Sequence, residues 1–183
     1  MQTVLDRVTP DAMPAAARGA WEQLNALTGD ASFVEVFAAA PKLLKFVMEQ
    51  FYGEIFFAGE LDVRYKQLAR LRLSTQHGCR TCNKQNVPGA LESGISQDQV
   101  DQLESYETGP FSAAEKVVLR FTDLMLLSNQ RQTLPDELAA ELKRHFTAAQ
   151  ICELGVVTAV ISGMAKLSFV MDLVEREDNC SFA

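Results

Sequence analysis

The spacing of hydrophobic residues predicts a chain built from helices. In the segment PKLLKFVMEQFYGEIFF, apolar residues recur every three or four positions and predict one buried helical stripe, formed by Leu44, Val47, Met48, Phe51 and Ile55. Strand signals are weak, because the chain has no sustained alternation of apolar and polar residues and no Asn-Gly or Asp-Gly turn. We therefore predict an all-α fold, a helical bundle.

Local capping signals predict where most helices begin. Asp11 and Asp62 are suitable N-cap residues, and Pro41 and Pro135 are suitable residues for a first helical turn. In three capping boxes, Glu or Gln follows Ser or Thr by three residues, which predicts helices after Ser96, Ser112 and Thr147. Another helix is expected to begin near the first cysteine of a close pair and to end near Gly94.

The chain has no long linker or low-complexity segment, so we predict a single domain over residues 1–183. A turn at Tyr106–Pro110 separates a first half, with a motif at about 60–100, from a second helical half at about 111–176. The helix from Ile151 to Ile161 is nearly free of charge, which predicts burial in a core or at a subunit contact. Gly163 is expected to bend or break this helix, and the tail DNCSFA is expected to be loose.

Charge and hydropathy narrow the classes of partner and location. The net charge of −7 and the pI of about 4.9 argue against nucleic acid and anionic lipid as partners. The N-terminal residues lack a signal-peptide pattern, and the uncharged run from Leu154 to Ala165 is shorter than the roughly 20 residues of a membrane helix. We therefore expect a cytoplasmic protein with no membrane partner.

The segment STQHGCRTCNKQN carries the candidate chemistry. Disulfides are rare in the reducing cytosol, so Cys79 and Cys82 are more consistent with catalysis, redox sensing or metal binding than with a structural bridge. At the first turn of a helix, the helix dipole and free N–H groups favour a thiolate, chiefly at Cys79, and Arg80 and Lys84 add positive charge. Such a dithiol can attack a peroxide or a disulfide, with the second thiol resolving the product.

Two other interpretations of the cysteines stay open, and a third, a thioredoxin fold, is set aside. Two buried cysteines three residues apart can arise from helical packing alone. Zinc would find three ligands in His77, Cys79 and Cys82, but structural zinc usually needs four. A thioredoxin fold would need a strand before the motif, where a helix is predicted. Cys152 is predicted to be a buried small hydrophobe, and we predict no metal or organic cofactor.

The segment LDVRYKQLARLRLSTQHGCRTCNKQNVPGALESGIS resembles the core motif of the AhpD-like/carboxymuconolactone decarboxylase superfamily. The matching residues are the two cysteines and the end of the motif: Cys79, Cys82, Ala90, Gly94 and Ser96. The resemblance implies an all-α homo-oligomer, commonly a trimer or hexamer. In AhpD-type members it also implies a redox-active CxxC that reduces a hydroperoxide or disulfide with electrons from a thiol donor, a lipoyl or thioredoxin-type protein.

The chain departs from that family pattern at both positions of its proton relay. The family glutamate falls at Gln67 and the family histidine at Asn86, and neutral amides cannot transfer protons near pH 7. We therefore expect a weak thiol peroxidase or disulfide oxidoreductase, in which either cysteine could attack first. His77 is a candidate replacement base, with a surface histidine as the alternative. A lactone decarboxylase and a non-catalytic protein with a vestigial or regulatory dithiol are the alternative functions.

Overall fold

The computed structural model describes residues 4–130, 133–178 and 180, and confirms the predicted all-α fold class. Over these residues the β-pairing is limited to one isolated bridge between Cys79 and Arg176. The helices are α1 (Ala15–Thr28), α2 (Ser32–Phe37), α3 (Pro41–Lys45), α4 (Val63–His77), α5 (Arg80–Glu92), α6 (Gln97–Asp101), α7 (Ala113–Leu124), α8 (Asp136–His145) and α9 (Ala148–Val170). A π-helix (Phe46–Phe57) continues α3, and short 3₁₀ turns occupy Pro10–Ala12 and Leu103–Ser105.

Most predicted helix starts are confirmed by their capping hydrogen bonds. The Asp62 carboxylate accepts from the Arg64 N–H at 2.8 Å, and the three predicted capping boxes are complete, at Ser96, Ser112 and Thr147. The start at Asp11 is wrong, since that residue lies in a 3₁₀ turn and α1 begins after Pro14. Proline has no N–H to donate, which is tolerated at the start of a helix, where that N–H would have no helical partner, so Pro14 suits the observed start of α1.

The segment after Pro41 is helical as predicted, but it changes its winding at Phe46. A π-helix has more residues per turn than an α-helix, and its buried positions Val47, Phe51 and Phe56 are accordingly four and five residues apart. Met48, predicted to be in the buried stripe, is instead 36% exposed and lines a cavity. The α-helical periodicity therefore assigned the correct segment and the buried residues Leu44, Val47 and Phe51, and it was wrong for Met48.

Helix α4 is the centre of the fold, because α5, α7 and α9 all pack against it. Leu68 and Leu71 join one hydrophobic cluster, with residues of α5 and α7, while Ala69 joins a second cluster with residues of α7, α8 and α9. Ten residues of α4 are buried, several of them polar or charged. The polar residues of α4 therefore need partners inside the protein.

Helix α9 is longer and more exposed than predicted. It runs through Gly163 without a break, where an added Cβ would meet no atom within 4 Å, and its most apolar window is only 22% buried. Cys152, predicted to be buried, is exposed on this helix. By length and composition alone, α9 is long and apolar enough to cross a membrane. The core helices of soluble proteins also meet these two criteria. Coverage of α9 by another subunit stays a prediction.

Candidate redox site

The two cysteines meet at a sharp turn between α4 and α5. Gly78 takes a left-handed conformation (φ 65°), and a Cβ there would come within 2.7 Å of the Cys180 Cα, so this position requires glycine. Cys79 is the N-cap of α5, and its Sγ accepts from the Cys82 N–H at 3.2 Å. The Sγ atoms of Cys79 and Cys82 are 2.07 Å apart, and the pair forms a disulfide. The predicted position of the pair at a helix start is confirmed.

The C-terminal segment covers one side of the disulfide. The Glu177 N–H donates to the Gly78 carbonyl at 2.8 Å, and the Cys180 thiol donates to the His77 carbonyl at 3.2 Å. Cys180 is buried and belongs to the same hydrophobic cluster as Cys79. The tail was predicted to be loose, which is wrong for Cys180, while Asn179 and residues 181–183 lie outside the described part of the chain.

The same segment neutralises the basic residues beside the cysteines. Arg80 pairs with Glu177 at 3.0 Å and with Asp178 at 3.3 Å, and Lys84 pairs with Glu175 at 3.0 Å. These acidic residues are about a hundred positions away in sequence, so the motif alone did not show them. The predicted positive charge near the thiols is therefore largely offset, and the helix N-terminus remains as the group that stabilises a thiolate.

The other side of the disulfide opens into a cavity of about 440 Å³. Its walls are mostly apolar and come from α1, α2, the π-helix, α4 and α9, with large side chains such as Leu24, Phe33, Phe51, Tyr52, Phe57 and Met164. The volume falls in the range of roughly 300–1,000 Å³ that is usual for small-molecule sites. Cys82 is partly exposed along this wall, whereas Cys79 is 1% exposed. A molecule in the cavity therefore reaches Cys82 more readily.

His77 lies inside the protein, so the surface alternative is wrong. It lines the cavity at 1% exposure, and its Nε2 accepts from the Leu127 N–H at 3.2 Å. Burial lowers the pKa of His77 to about 4, and the ring is neutral at pH 7. A buried imidazole with this pKa, and with Nε2 already accepting a hydrogen bond, is a weak base near neutral pH.

The two amides at the family relay positions are both buried but differ in access to the cavity. Asn86 lies one turn after Cys82 and lines the cavity; its Nδ2 donates to the Arg70 carbonyl at 3.4 Å. Gln67 lies behind that lining, between α4 and α5, where a Cβ on Gly89 would come within 3.0 Å of its Nε2. The amide oxygens Oε1 of Gln67 and Oδ1 of Asn86 have no hydrogen-bond partner among the described residues.

The cavity brings together four of the candidate residues and leaves one outside. Cys79, Cys82, His77 and Asn86 line it, and Gln67 does not. Lys66, next to Gln67 in the sequence, points away from this site toward Glu153. In the described part of the chain, no group of three or more His, Cys, Asp or Glu residues could hold a metal ion.

Sequence reasoning missed Arg70, which lines the same cavity. Its guanidinium carbon lies 5.2 Å from the ring centroid of Tyr52 and 5.6 Å from that of Phe56, and the residue is 6% exposed. No sequence signal separates it from Arg72 on the same helix, because neither arginine has an acidic residue three or four positions away. The distinction arises in the folded structure.

Comparisons with known proteins agree with this fold and motif. Residues 41–123, a little under half of the chain, match the model of the carboxymuconolactone decarboxylase family. An uncharacterized protein of Mycobacterium tuberculosis is 28% identical over 95 residues, which are 51% of this chain and 33% of that protein. The match thus spans about a third of the length of these curated relatives.

Three solved structures are similar over nearly the whole chain. An uncharacterized peroxidase-related protein with an alkylhydroperoxidase AhpD core, from Ralstonia eutropha JMP134, has a TM-score of 0.74 at 13% identity and covers 96% of this chain and 93% of its own. The debrominase Bmp8, a cysteine-to-alanine variant in complex with 2,3,4-tribromopyrrole, has a TM-score of 0.73 at 17% identity and covers 97% and 94%. A peroxidase-related protein from Silicibacter sp. TM1040 has a TM-score of 0.71 at 17% identity and covers 99% and 96%.

At these identities the solved structures establish the fold. The family model covers the segment that contains the paired cysteines, and the overlay of whole chains extends the same helical arrangement beyond it. The predicted resemblance to the AhpD-like/carboxymuconolactone decarboxylase superfamily is confirmed, by the family model over residues 41–123 and by the shared fold over nearly the whole chain.

Proposed function

We propose that this protein is a thiol-dependent peroxidase or disulfide oxidoreductase whose working group is the Cys79–Cys82 pair. The observation that carries the proposal is the disulfide in the wall of a large apolar cavity, with Cys82 on the accessible side. A buried structural bridge would not need such access. The apolar walls favour an organic hydroperoxide over hydrogen peroxide, because burial of the organic part contributes binding energy.

The different exposures of the two cysteines support different roles for them in the proposed reduction of a peroxide. The Cys82 thiol loses its proton to water, and the thiolate attacks the terminal oxygen of the hydroperoxide. The O–O bond breaks, Cys82 becomes a sulfenic acid, and the alkoxide leaves and takes a proton from water to give the alcohol. The Cys79 thiolate then attacks the Cys82 sulfur, the disulfide forms, and water leaves. One dithiol thus supplies two electrons and two protons for each hydroperoxide.

The N-terminus of α5 contributes to the other half of the cycle, the reduction of the Cys79–Cys82 disulfide. A dithiol donor, of the lipoyl or thioredoxin type, attacks the accessible Cys82 sulfur, and Cys79 leaves as a thiolate. The Cys82 N–H, 3.2 Å from the Cys79 Sγ, stabilises that thiolate, and a better-stabilised leaving thiolate departs faster. A second donor thiol then releases Cys82, and the donor becomes a disulfide. Exposure therefore favours Cys82 as the sulfur that attacks the peroxide, whereas the helix N-terminus favours Cys79 as the thiolate that leaves when the disulfide is reduced.

Asn86 takes part as a hydrogen-bonding group. Asn86 lines the cavity one turn after Cys82, and its buried Oδ1, which has no partner among the described residues, is the acceptor that we propose for the O–H of a bound hydroperoxide. The amide can orient the peroxide but cannot deliver a proton to the leaving oxygen. Since general acid–base catalysis is typically worth ~10²–10⁴-fold, turnover should be slow for a thiol peroxidase.

The test is turnover of cumene hydroperoxide with dihydrolipoamide as the electron donor. We expect turnover in the natural chain and in Cys152→Ser, which removes an exposed thiol outside the cavity. Cys79→Ser and Cys82→Ser should both lose turnover. Cys79→Ser should still form a sulfenic acid that dimedone traps at Cys82, while Cys82→Ser should form none. Equal turnover in the double serine variant would overturn the proposal.

Three other results would favour other functions. Decarboxylation of a lactone acid that persists in Cys79→Ser would favour the lyase branch of the superfamily. Disulfide formation with 2,3,4-tribromopyrrole, but with no hydroperoxide, would favour the chemistry named for the debrominase. Reduced protein that stays reduced with every oxidant would favour a vestigial dithiol.

A further inference from the structure

Helix α4 carries four Lys and Arg residues, and one of them differs from the rest. Three have a carboxylate within hydrogen-bond distance: Arg64 with Glu115 at 2.6 Å, Lys66 with Glu153 at 2.6 Å, and Arg72 with Asp123 at 2.8 Å. Arg70 makes no ion pair and no side-chain hydrogen bond with any described residue. Arg70 is therefore a buried cation that no carboxylate in the described part of the chain neutralises.

The surroundings of Arg70 do not supply that anion. The rings of Tyr52 and Phe56 contribute cation–π contact, which is weaker than a hydrogen-bonded ion pair. Asp30 also lines the cavity, but its carboxylate accepts from the Ser32 hydroxyl at 2.6 Å and from the Thr81 hydroxyl at 3.2 Å. An arginine side chain keeps its positive charge in proteins, so burial does not remove the need for an anion.

A buried guanidinium with unused donors indicates a ligand group that is absent from the chain itself. Five N–H donors in a planar fork match a carboxylate, which can accept two of them in parallel. The remaining walls of the cavity are apolar, so they favour a ligand whose other atoms are hydrocarbon.

We propose that the cavity binds a carboxylate with an apolar body, and that Arg70 pairs with the carboxylate group. Asn86 donates to the Arg70 carbonyl and lies one turn after Cys82, so the anion site and the accessible sulfur belong to the same cavity. Binding does not depend on the dithiol reaction. Where the proposed peroxidase function also holds, the substrate class is the hydroperoxide of an apolar carboxylic acid, and this extension rests on that function.

Calorimetric titration of the full chain tests the proposal with three eight-carbon probes: octanoate, octan-1-ol and octylamine. The protein is the double variant Cys79→Ser/Cys82→Ser, so that failure of the redox proposal leaves this result intact. We expect octanoate to bind at least about tenfold more tightly than octan-1-ol, because hydrogen bonds to charged groups are worth that much. Octylamine should bind most weakly.

Two substitutions of Arg70 in that background identify the residue responsible. Arg70→Met keeps an apolar side chain of similar length and should weaken octanoate binding at least about tenfold, with octan-1-ol unchanged within about threefold. Arg70→Lys should retain part of the preference for octanoate. Lys42→Gln removes the same charge from an exposed position outside the cavity and should leave all three probes unchanged.

Retained octan-1-ol binding shows that the Arg70→Met cavity is folded. Equal affinities for octanoate and octan-1-ol in the parent, or octanoate binding that survives Arg70→Met, would overturn the proposal, as would no binding of any probe. A peroxidase that shows no octanoate binding would retain the proposed function and lose this inference. Octanoate binding without peroxidase activity would support this inference and contradict the proposed function.

Discussion

Lys66 and Arg70 are both buried cations of α4, about one turn apart. Lys66 forms an ion pair inside the protein, whereas Arg70 forms none with a described residue. Lys66 donates to Glu153 at 2.6 Å and to the Ile55 carbonyl at 2.8 Å, and joins α4 to α9 and the π-helix. Arg70 faces the cavity and has aromatic rings and no described carboxylate. The complete pair stabilises the fold, whereas the incomplete one marks a place where a ligand completes the interactions.

Glu153 beside Lys66 and Asn86 beside Arg70 show the same difference, although Gln67, outside the cavity, also has an acceptor without a partner among the described residues. Burial alone would raise the pKa of Glu153, but hydrogen bonds from Lys66 and from the N–H groups of Leu61 and Glu60 outweigh it and hold the pKa below the ordinary value. On the cavity side, Asn86 keeps an acceptor without a partner. An unsatisfied buried acceptor costs about 1–3 kcal/mol, so the cavity side contributes less to stability than its burial suggests.

The largest effect is expected from Lys66→Met. This change leaves Glu153 buried without its cation, and should lower the free energy of unfolding by about 3–5 kcal/mol. Urea denaturation at pH 7 measures it. Lys45→Met breaks an exposed pair with Glu49 and should change stability by less than about 0.5 kcal/mol. A loss for Lys66→Met no larger than for Lys45→Met would contradict the role given to the buried pair.

The next effect is a loss of stability in acid that comes from His77. Its pKa is about 4 in the folded protein and 6.5 in the reference state, so the unfolded chain binds more protons between these values. The free energy of unfolding should therefore fall by about 3 kcal/mol as the pH drops from about 7 to 4. Denaturation curves across this range measure the fall.

Two variants separate His77 from other groups that titrate in acid. His77→Gln keeps an acceptor for the Leu127 N–H and should flatten the pH dependence, whereas His145→Gln, at an exposed histidine, should leave it unchanged. Identical pH profiles for the natural chain and His77→Gln would show that the buried imidazole is not the group responsible.

A smaller effect, on hydroperoxide turnover, is expected from placing a proton donor at position 86 in the cavity wall. Asn86→His should raise hydroperoxide turnover about tenfold or more, since general acid–base catalysis typically contributes ~10²–10⁴-fold in an optimised site. Because Gln67 lies behind the cavity lining, adding Gln67→Glu to Asn86→His should give a smaller second gain. Steady-state kinetics on both variants measures it. A larger gain from Gln67→Glu alone would reverse the roles given to the two positions.

The smallest effect is expected from Arg70→Met, and it sharpens the comparison with Lys66. Removing a buried cation that has no anion removes a desolvation cost along with the cation–π contacts, so the free energy of unfolding should change by less than about 1 kcal/mol. Urea denaturation beside Lys66→Met measures the difference. A loss as large as that of Lys66→Met would mean that Arg70 has a structural role.

The sequence predicted features that depend on neighbouring residues. Capping bonds at Asp62, Ser96, Ser112 and Thr147 involve residues two or three positions away, so their residue types alone indicate the helix starts. The position of the cysteine pair at a helix start was predicted for the same reason.

The remaining features depend on contacts between distant segments. The predictions for the two other cysteines were both wrong. Cys152 was predicted to be buried and is exposed on α9, whereas Cys180 was predicted to lie in a loose tail and is buried against the turn before the disulfide. Acidic residues near the C-terminus neutralise Arg80. The missing partner of Arg70 could be seen only after every described carboxylate had been placed. Local patterns therefore predicted the thiols but not the cavity.

The central claim is that Cys79 and Cys82 are a working dithiol, and counting thiols tests it most directly. The protein is reduced, freed of reductant, and treated with one equivalent of cumene hydroperoxide before thiols are titrated under denaturing conditions. The account predicts a fall from four thiols to two per chain, with Cys152 and Cys180 still free and a Cys79–Cys82 crosslink in the digest. Four thiols remaining after treatment would contradict it.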